Sequence, residues 1–478
     1  MKLINIKIKK LKVASAVLII ACLSSLFVSC EKFVEIDAPQ GELSSDNVFL
    51  YEETTESAII GLYQLLGYSY NGTFTEARIE QYTGISGDEI TTNHRNTDVG
   101  AIGDNNIEID NLIVFNDLWT DSYNKLILVN PIIEGLGDNN VLSEDFRNQV
   151  LGEALFFRAF FHFHLVNIFG DIPYANTSVI ATLNTLSRMP TTEVYEHIIA
   201  DLKEAQSLMA DNYDHADGKR NRANKSAATA LLARAYLYTE DWANAEIEAT
   251  KVIENPTYIL EPNLDDVFLK PTRESILQIS INETRNQNGY AQTFVIGRFG
   301  SPFGGGSWSA YELTDQLFNS FETGDARFDH WVGIEDNSRG IFHYAHKYKK
   351  NSFFNRDAPV EELVFLRFAE LFLIRAEARA QLEDISGSQE DVNMIRNRAG
   401  LENTTANTKA TLLDAIAHER RIELMVEGGH RWYDLKRTGK VDAVVAPLKS
   451  MWEPTDVLFP IPIQEILNNT NLTQNPGY

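Results

Sequence analysis

The densest group of chemically capable side chains is the run Glu419 to Gly439, ERRIELMVEGGHRWYDLKRTG. Glu419, Arg420, Glu423, Glu427, Arg431, Asp434 and Arg437 supply carboxylates and forked guanidiniums, and Trp432 and Tyr433 add rings. Guanidiniums pair with carboxylates in bidentate fashion, so the run can form a fixed ion-pair and hydrogen-bond cluster. It begins inside a helix, where Ile416, Ile422, Leu424, Met425 and Val426 lie among the charges. Gly428 and Gly429 are expected to stop that helix. No base, nucleophile or metal set is spaced for chemistry, so the run reads as a structural clamp at a helix end.

The rest of the chain offers no catalytic motif. HExxH, GxSxG and paired cysteines are absent. His162 and His164 sit two apart on a helical pattern, hence on different faces, and read as core histidines rather than a metal pair. Gly304-Gly305-Gly306-Ser307 lacks the lysine and helix of a phosphate loop. Carboxylates are too common in a chain of formal charge −25 to single out a glycosidase pair. No metal or cofactor site is predicted, and the acidic balance disfavours nucleic acid as a partner.

The N-terminus is a targeting segment. Lys2, Lys7, Lys9, Lys10 and Lys12 precede an apolar run, Val13 to Val28, that ends sharply at Cys30. Phe27-Val28-Ser29-Cys30 has the form of a lipobox, with Phe27 where leucine is usual. Cleavage before Cys30 removes residues 1–29, including Cys22, and leaves Cys30 to carry lipid.

Three further stretches accompany ERRIELMVEGGHRWYDLKRTG. They are EALFFRAFFHFHLVNIFGDIPY, LFPIPIQEI and the closing NPGY. Together they resemble the SusD/RagB family of nutrient-binding lipoproteins on the outer surface of Bacteroidetes cells. The resemblance implies a mainly α protein built on about four tetratricopeptide-like helix pairs, with a loop-rich insertion carrying short strands. It implies capture of a glycan, with peptide as a further ligand class, and delivery to a SusC-like TonB-dependent transporter in the outer membrane. It implies no enzymatic step. A surface glycoside hydrolase of the same system, and a tetratricopeptide scaffold that binds only protein, are the competing readings.

A sugar-binding surface needs flat rings against carbohydrate CH faces and planar polar groups for hydroxyls. Two loops offer these, 84–108 and 283–311, with a third run at 342–354. Trp308 and Tyr290 are the expected stacking platforms, and Asn93 and Arg95 the expected hydrogen-bond donors. Phe303, Tyr344 and Tyr348 complete the candidates. The family shares no fixed ligand motif, so these rest on residue type and loop context alone.

The elements that must position these loops follow from periodicity. Lys225 to Pro256 reads as two helices rich in small residues, of about the 34-residue tetratricopeptide length. A second pair is expected over Leu363 to Asn397. The resemblance implies four such pairs, which places the other two at about 56–68 with 119–136 and 144–169 with 192–209. Periodicity fails from Gly67 to Asn111, predicting a long loop. ILQIS and TFVIG, in the insertion, read as short strands. The expected regions are 1–29 (signal), 30–256 and 257–478.

Overall fold

The computed structural model describes residues 45–67, 77–92, 96–270, 272–281, 288–295, 311–337, 340–349 and 361–478. Cys30, Asn93, Arg95, Phe303 and Trp308 lie outside these residues. The chain divides into Met1–Val48, of which only the short helix Ser45–Val48 is described, and one unit spanning Phe49–Tyr478.

The second unit is built mainly of helices, most of them packed on a neighbour in the series. The series is α1 (Glu52–Gly67), α2 (Ile79–Ser86), α3 (Thr97–Asp104), α4 (Asp121–Gly137), α5 (Glu144–Phe169), α6 (Thr191–Leu208), α7 (Lys225–Tyr238), α8 (Trp242–Ile253), α9 (Gly289–Phe294), α10 (Phe368–Gln381), α11 (Ile385–Arg398), α12 (Lys409–Glu423) and α13 (His430–Arg437). Four pairs form the frame, as the resemblance implies: α1 with α4, α5 with α6, α7 with α8, and α10 with α11. Continuity comes from α6 packing on α7 and α8 on α10.

Residue choice explains the stacking. From Ser226 to Leu237 every side chain of α7 is buried, and five of these residues are alanines, so helix axes approach closely on both sides. Buried α5 presents apolar residues around its circumference, with stacked and edge-on phenylalanine contacts along it. Arginine–carboxylate forks cross the interfaces. Arg158 bonds Asp201 between α5 and α6, at 2.8 and 2.6 Å. Arg234 bonds Glu370 between α7 and α10, also at 2.8 and 2.6 Å. Arg375 bonds Asp391 between α10 and α11, at 2.9 and 2.7 Å. Each fork fixes register as well as contributing energy.

His162 and His164 are both core residues. The Nδ1 of His162 lies 2.8 Å from the Arg158 carbonyl and its Nε2 accepts from the Ala175 N–H at 3.0 Å, an arrangement that needs the neutral ring. Burial lowers its pKa to about 3.

Strands occur as two-stranded antiparallel pairs: β1 (Ile90–Thr92) with β3 (Tyr311–Leu313), β2 (Ser275–Ile279) with β6 (Leu363–Arg367), and the hairpin β4 (Val332–Asn337) with β5 (Gly340–Ala345). Three sequence expectations need correcting. The stretch 67–111 is not one loop, because α2, β1 and α3 lie within it. These elements are too short to register a period, and α3 is started by Asn96, whose side chain accepts from the Asp98 N–H. Thr293-Phe294 of TFVIG close α9 instead of starting a strand, because Asn288 caps that helix and Tyr290 packs on Phe294, their ring centroids 4.6 Å apart. Leu363 to Arg367 is strand, and the helix of the fourth pair begins at Phe368.

Candidate functional site

The C-terminal run builds a buried charge cluster. Helix α12 ends at Glu423, five residues before the glycines expected to stop it, and the polypeptide turns through Leu424–Gly429 into α13. Glu423 is fully buried and accepts from three guanidiniums: Arg367 at 2.5 Å, Arg327 at 3.2 Å, and Arg398. Arg367 reaches on to Glu427 at 2.8 Å and Glu274 at 3.1 Å, and Arg398 reaches Glu274 at 2.7 Å. Arg327 forks onto Asp325 and pairs with Glu419 at 3.0 Å. Glu419 in turn accepts from Arg396 at 2.6 Å. Lys347 donates to the Glu423 carbonyl at 2.8 Å and to Glu427, with its ammonium 4.6 Å from the centre of the Trp331 ring. Cations and carboxylates therefore balance inside the cluster. Burial alone would push Glu423 up, yet Arg398, Arg367 and Arg327 hold its carboxyl well below the usual range.

The adjoining turn is tightly constrained. Val426 adopts φ 51°, an outlier for a β-branched residue, and Gly428 and Gly429 adopt φ 49° and 72°. A Cβ at Gly429 would lie 2.9 Å from Tyr433 and 3.0 Å from Ile79, so glycine is required there. Two buried carboxylates hold the turn from outside: the Val426 N–H donates to Glu89 at 2.7 Å and the Gly428 N–H to Glu80 at 3.1 Å. Just beyond, Arg431 forks onto Asp88 at 2.7 and 2.9 Å, and Arg421 meets the same carboxylate at 2.7 Å. Asp434 accepts from Arg420 at 2.7 Å and Arg437 at 2.8 Å, and Arg437 forks onto Glu377 at 2.6 Å.

Asp88 and Glu89 immediately precede β1. Their carbonyls accept from Thr314, the residue after β3, through its hydroxyl at 2.6 Å and its N–H at 2.9 Å. The C-terminal cluster thus grips both roots of the β1–β3 ribbon. At the far end of that ribbon Thr92 pairs with Tyr311. The two candidate ligand loops leave from this end. Asn93 and Arg95 follow Thr92 by one and three residues, and Trp308 precedes Tyr311 by three.

Glu80 and Glu89 give the mount a pH signature. Burial raises each from 4.5 to about 7 against the help of its backbone donor. A carboxyl with a raised folded-state pKa binds its proton more tightly folded than unfolded. Its contribution is full below pH 4.5 and is lost as pH rises through about 7. Glu80→Gln keeps an acceptor and removes the titration. Urea unfolding from pH 5 to 8 should show the native protein losing up to about 3 kcal/mol relative to this variant. Parallel curves would mean the carboxyl titrates normally.

The remaining candidates are packed inside. Tyr290 and Tyr348 were expected at a ligand surface but are 3% exposed, with ring centroids 4.7 Å apart. Phe294 covers Tyr290, Phe268 covers Tyr348, and the Tyr348 hydroxyl accepts from the Val364 N–H at 2.9 Å. Tyr344 is buried as well, its ring lying over Gly333, where a Cβ would come within 2.2 Å of the ring. None of the three offers an open ring face. The sequence reading did not include Glu80, Glu89, Glu274, Arg327, Lys347, Arg367 or Arg398 in the clamp. They are scattered from residue 80 to residue 398, outside the Glu419–Gly439 run, so no local spacing links them to it.

This is a helix-pair scaffold whose C-terminal clamp holds the roots of a short ribbon, and known proteins resemble the chain in sequence and fold. Residues 32–237 match a SusD-like family model described as starch-binding associating with outer membrane, and residues 335–451 match the SusD family model. SusD-like protein P2 of Formosa agariphila is 28% identical over 98% of this chain and all of its own length. The starch-binding protein SusD of Bacteroides thetaiotaomicron is 25% identical over 72% of this chain and 74% of its own. A SusD superfamily crystal structure from Parabacteroides distasonis shares the fold at TM-score 0.77 and 24% identity, covering 91% of this chain and all of the other. The chain belongs to the SusD/RagB family.

Proposed function

We propose that this chain is a cell-surface lipoprotein of the outer membrane that captures an oligosaccharide and delivers it to a SusC-like TonB-dependent transporter. The observation that carries this reading is the common origin of the two candidate loops. One brings a ring, Trp308, and the other brings planar donors, Asn93 and Arg95, and both are rooted at the Thr92–Tyr311 end of a ribbon clamped in place. Glycan recognition needs these two kinds of group on a rigid base. The starch-binding name of the SusD relative supports the ligand class, and the family-model description supports the membrane. The step is binding without bond chemistry.

The test is a glycan and peptide array probed with the mature chain, followed by product analysis of each glycan bound. Binding without product supports the reading. Product formation supports the glycoside hydrolase, and binding to purified transporter with no array signal supports a protein scaffold. The anchor is tested separately. In cells lacking the transporter, Cys30→Ala should leave the fold intact and move the protein from the membrane fraction to the soluble one. Full retention in the membrane would contradict lipidation at Cys30.

A further inference from the structure

A pocket of about 380 Å³ lies on the other side of the clamp, between the α7–α8 turn, α10, α12 and α13. Its polar wall contains Arg420, Arg421, Arg431 and Arg437, unusual company in a chain of net charge −25. Most of these donors are used. Arg437 is filled by Glu377 and Asp434, and Arg431 by Asp88. Arg421 meets Asp88 at 2.7 Å but has no hydrogen-bond partner for its Nε among the described residues, and Arg420 is less used still. Its side chain is 2% exposed, its Nε donates to Asp434, and its two terminal nitrogens have no partner among the described residues. The Tyr238 hydroxyl, in the same wall, is also buried and without a partner among them. Buried donors without acceptors are costly, and a guanidinium edge with two open N–H positions fits one oxyanion in bidentate fashion. The lining also includes the apolar residues Leu237, Leu413 and Leu435, and the half-buried Trp242. The volume suits a small ligand rather than a lone water.

We propose that this pocket binds a small carboxylate- or sulfate-bearing ligand. The oxyanion sits on the Nη edge of Arg420 and the Tyr238 hydroxyl, and the ligand's apolar skeleton lies against Trp242. The site is independent of the ribbon-end loops and does not rest on the glycan reading there.

Calorimetric titration of the mature protein with glucuronate, glucose and inorganic sulfate tests it. Glucuronate should bind and glucose should not. Sulfate binding as tightly as glucuronate identifies a bare oxyanion as the ligand, and weaker sulfate binding identifies a carboxylate on a ring. Arg420→Lys should weaken glucuronate about tenfold or more. Because Arg420 also holds Asp434, that variant can fail to fold, so Tyr238→Phe is the deciding change. It removes one open donor, keeps the ring, and should weaken glucuronate several-fold at unchanged melting temperature. No binding of either anion would mean the pocket holds water only, and glucuronate affinity unchanged in Tyr238→Phe would mean the anion binds away from this donor pair; either result overturns the proposal.

Discussion

Replacing Glu423 by alanine is expected to lower the unfolding free energy by about 3–5 kcal/mol, the cost of breaking a buried ion pair by removing one partner. Glu423 has no exposed surface, and three guanidiniums converge on it. Its loss leaves Arg327, Arg367 and Arg398 facing one another across a dry cluster. Glu274 and Glu427 still serve Arg367, and Glu274 serves Arg398, so those two are partly compensated. Arg327 retains Asp325 and Glu419. The net charge of the cluster rises by one in either case. Urea unfolding measures the change through a shifted midpoint at unchanged slope. A loss below about 1 kcal/mol, the range of surface pairs, would show that water reaches these groups.

Trp432→Ala is expected to cost a similar amount, about 3–5 kcal/mol, for a different reason. The indole is fully buried, edge-on to Trp452 at 6.1 Å, and lies where a Cβ on Gly87 would touch it at 3.7 Å. Removal opens a cavity between α13 and the segment leading to β1. The effect should appear in the melting temperature, with glycan affinity of the folded fraction retained. Unchanged melting with lost binding would turn the clamp into a ligand site.

Two of the helix pairs, α7 with α8 and α10 with α11, were legible because each is local. Alanine and leucine at helical spacing in Lys225–Ile253 specify two helices that pack closely, and nothing distant is needed to see it. The clamp was legible only by half. The run from Glu419 to Arg437 announces charge and rings, but its partners come from elsewhere: Asp88 and Glu89 before β1, Glu274 before β2, Arg327 and Lys347 in the insertion, Arg367 at the end of β6. No periodicity links residues so far apart. The same limit misplaced Tyr290 and Tyr348. Loop-like surroundings suggested exposure, whereas α9 and the segment after β5 bring both rings inward onto each other. For the ligand loops, residue type proposed Trp308, Asn93 and Arg95, and the β1–β3 pairing adds that their loops share a root.

That shared root makes Trp308→Ala the most direct measurement. The mature protein and the variant are titrated calorimetrically with the glycan the array selects, beside melting curves for both. If Trp308 is the stacking platform, affinity falls about tenfold or more, from a ring contact of about 1–2 kcal/mol. Stability then stays within about half a kcal/mol, as for a surface change. Equal affinities would remove Trp308 from the site and contradict glycan capture at the ribbon end.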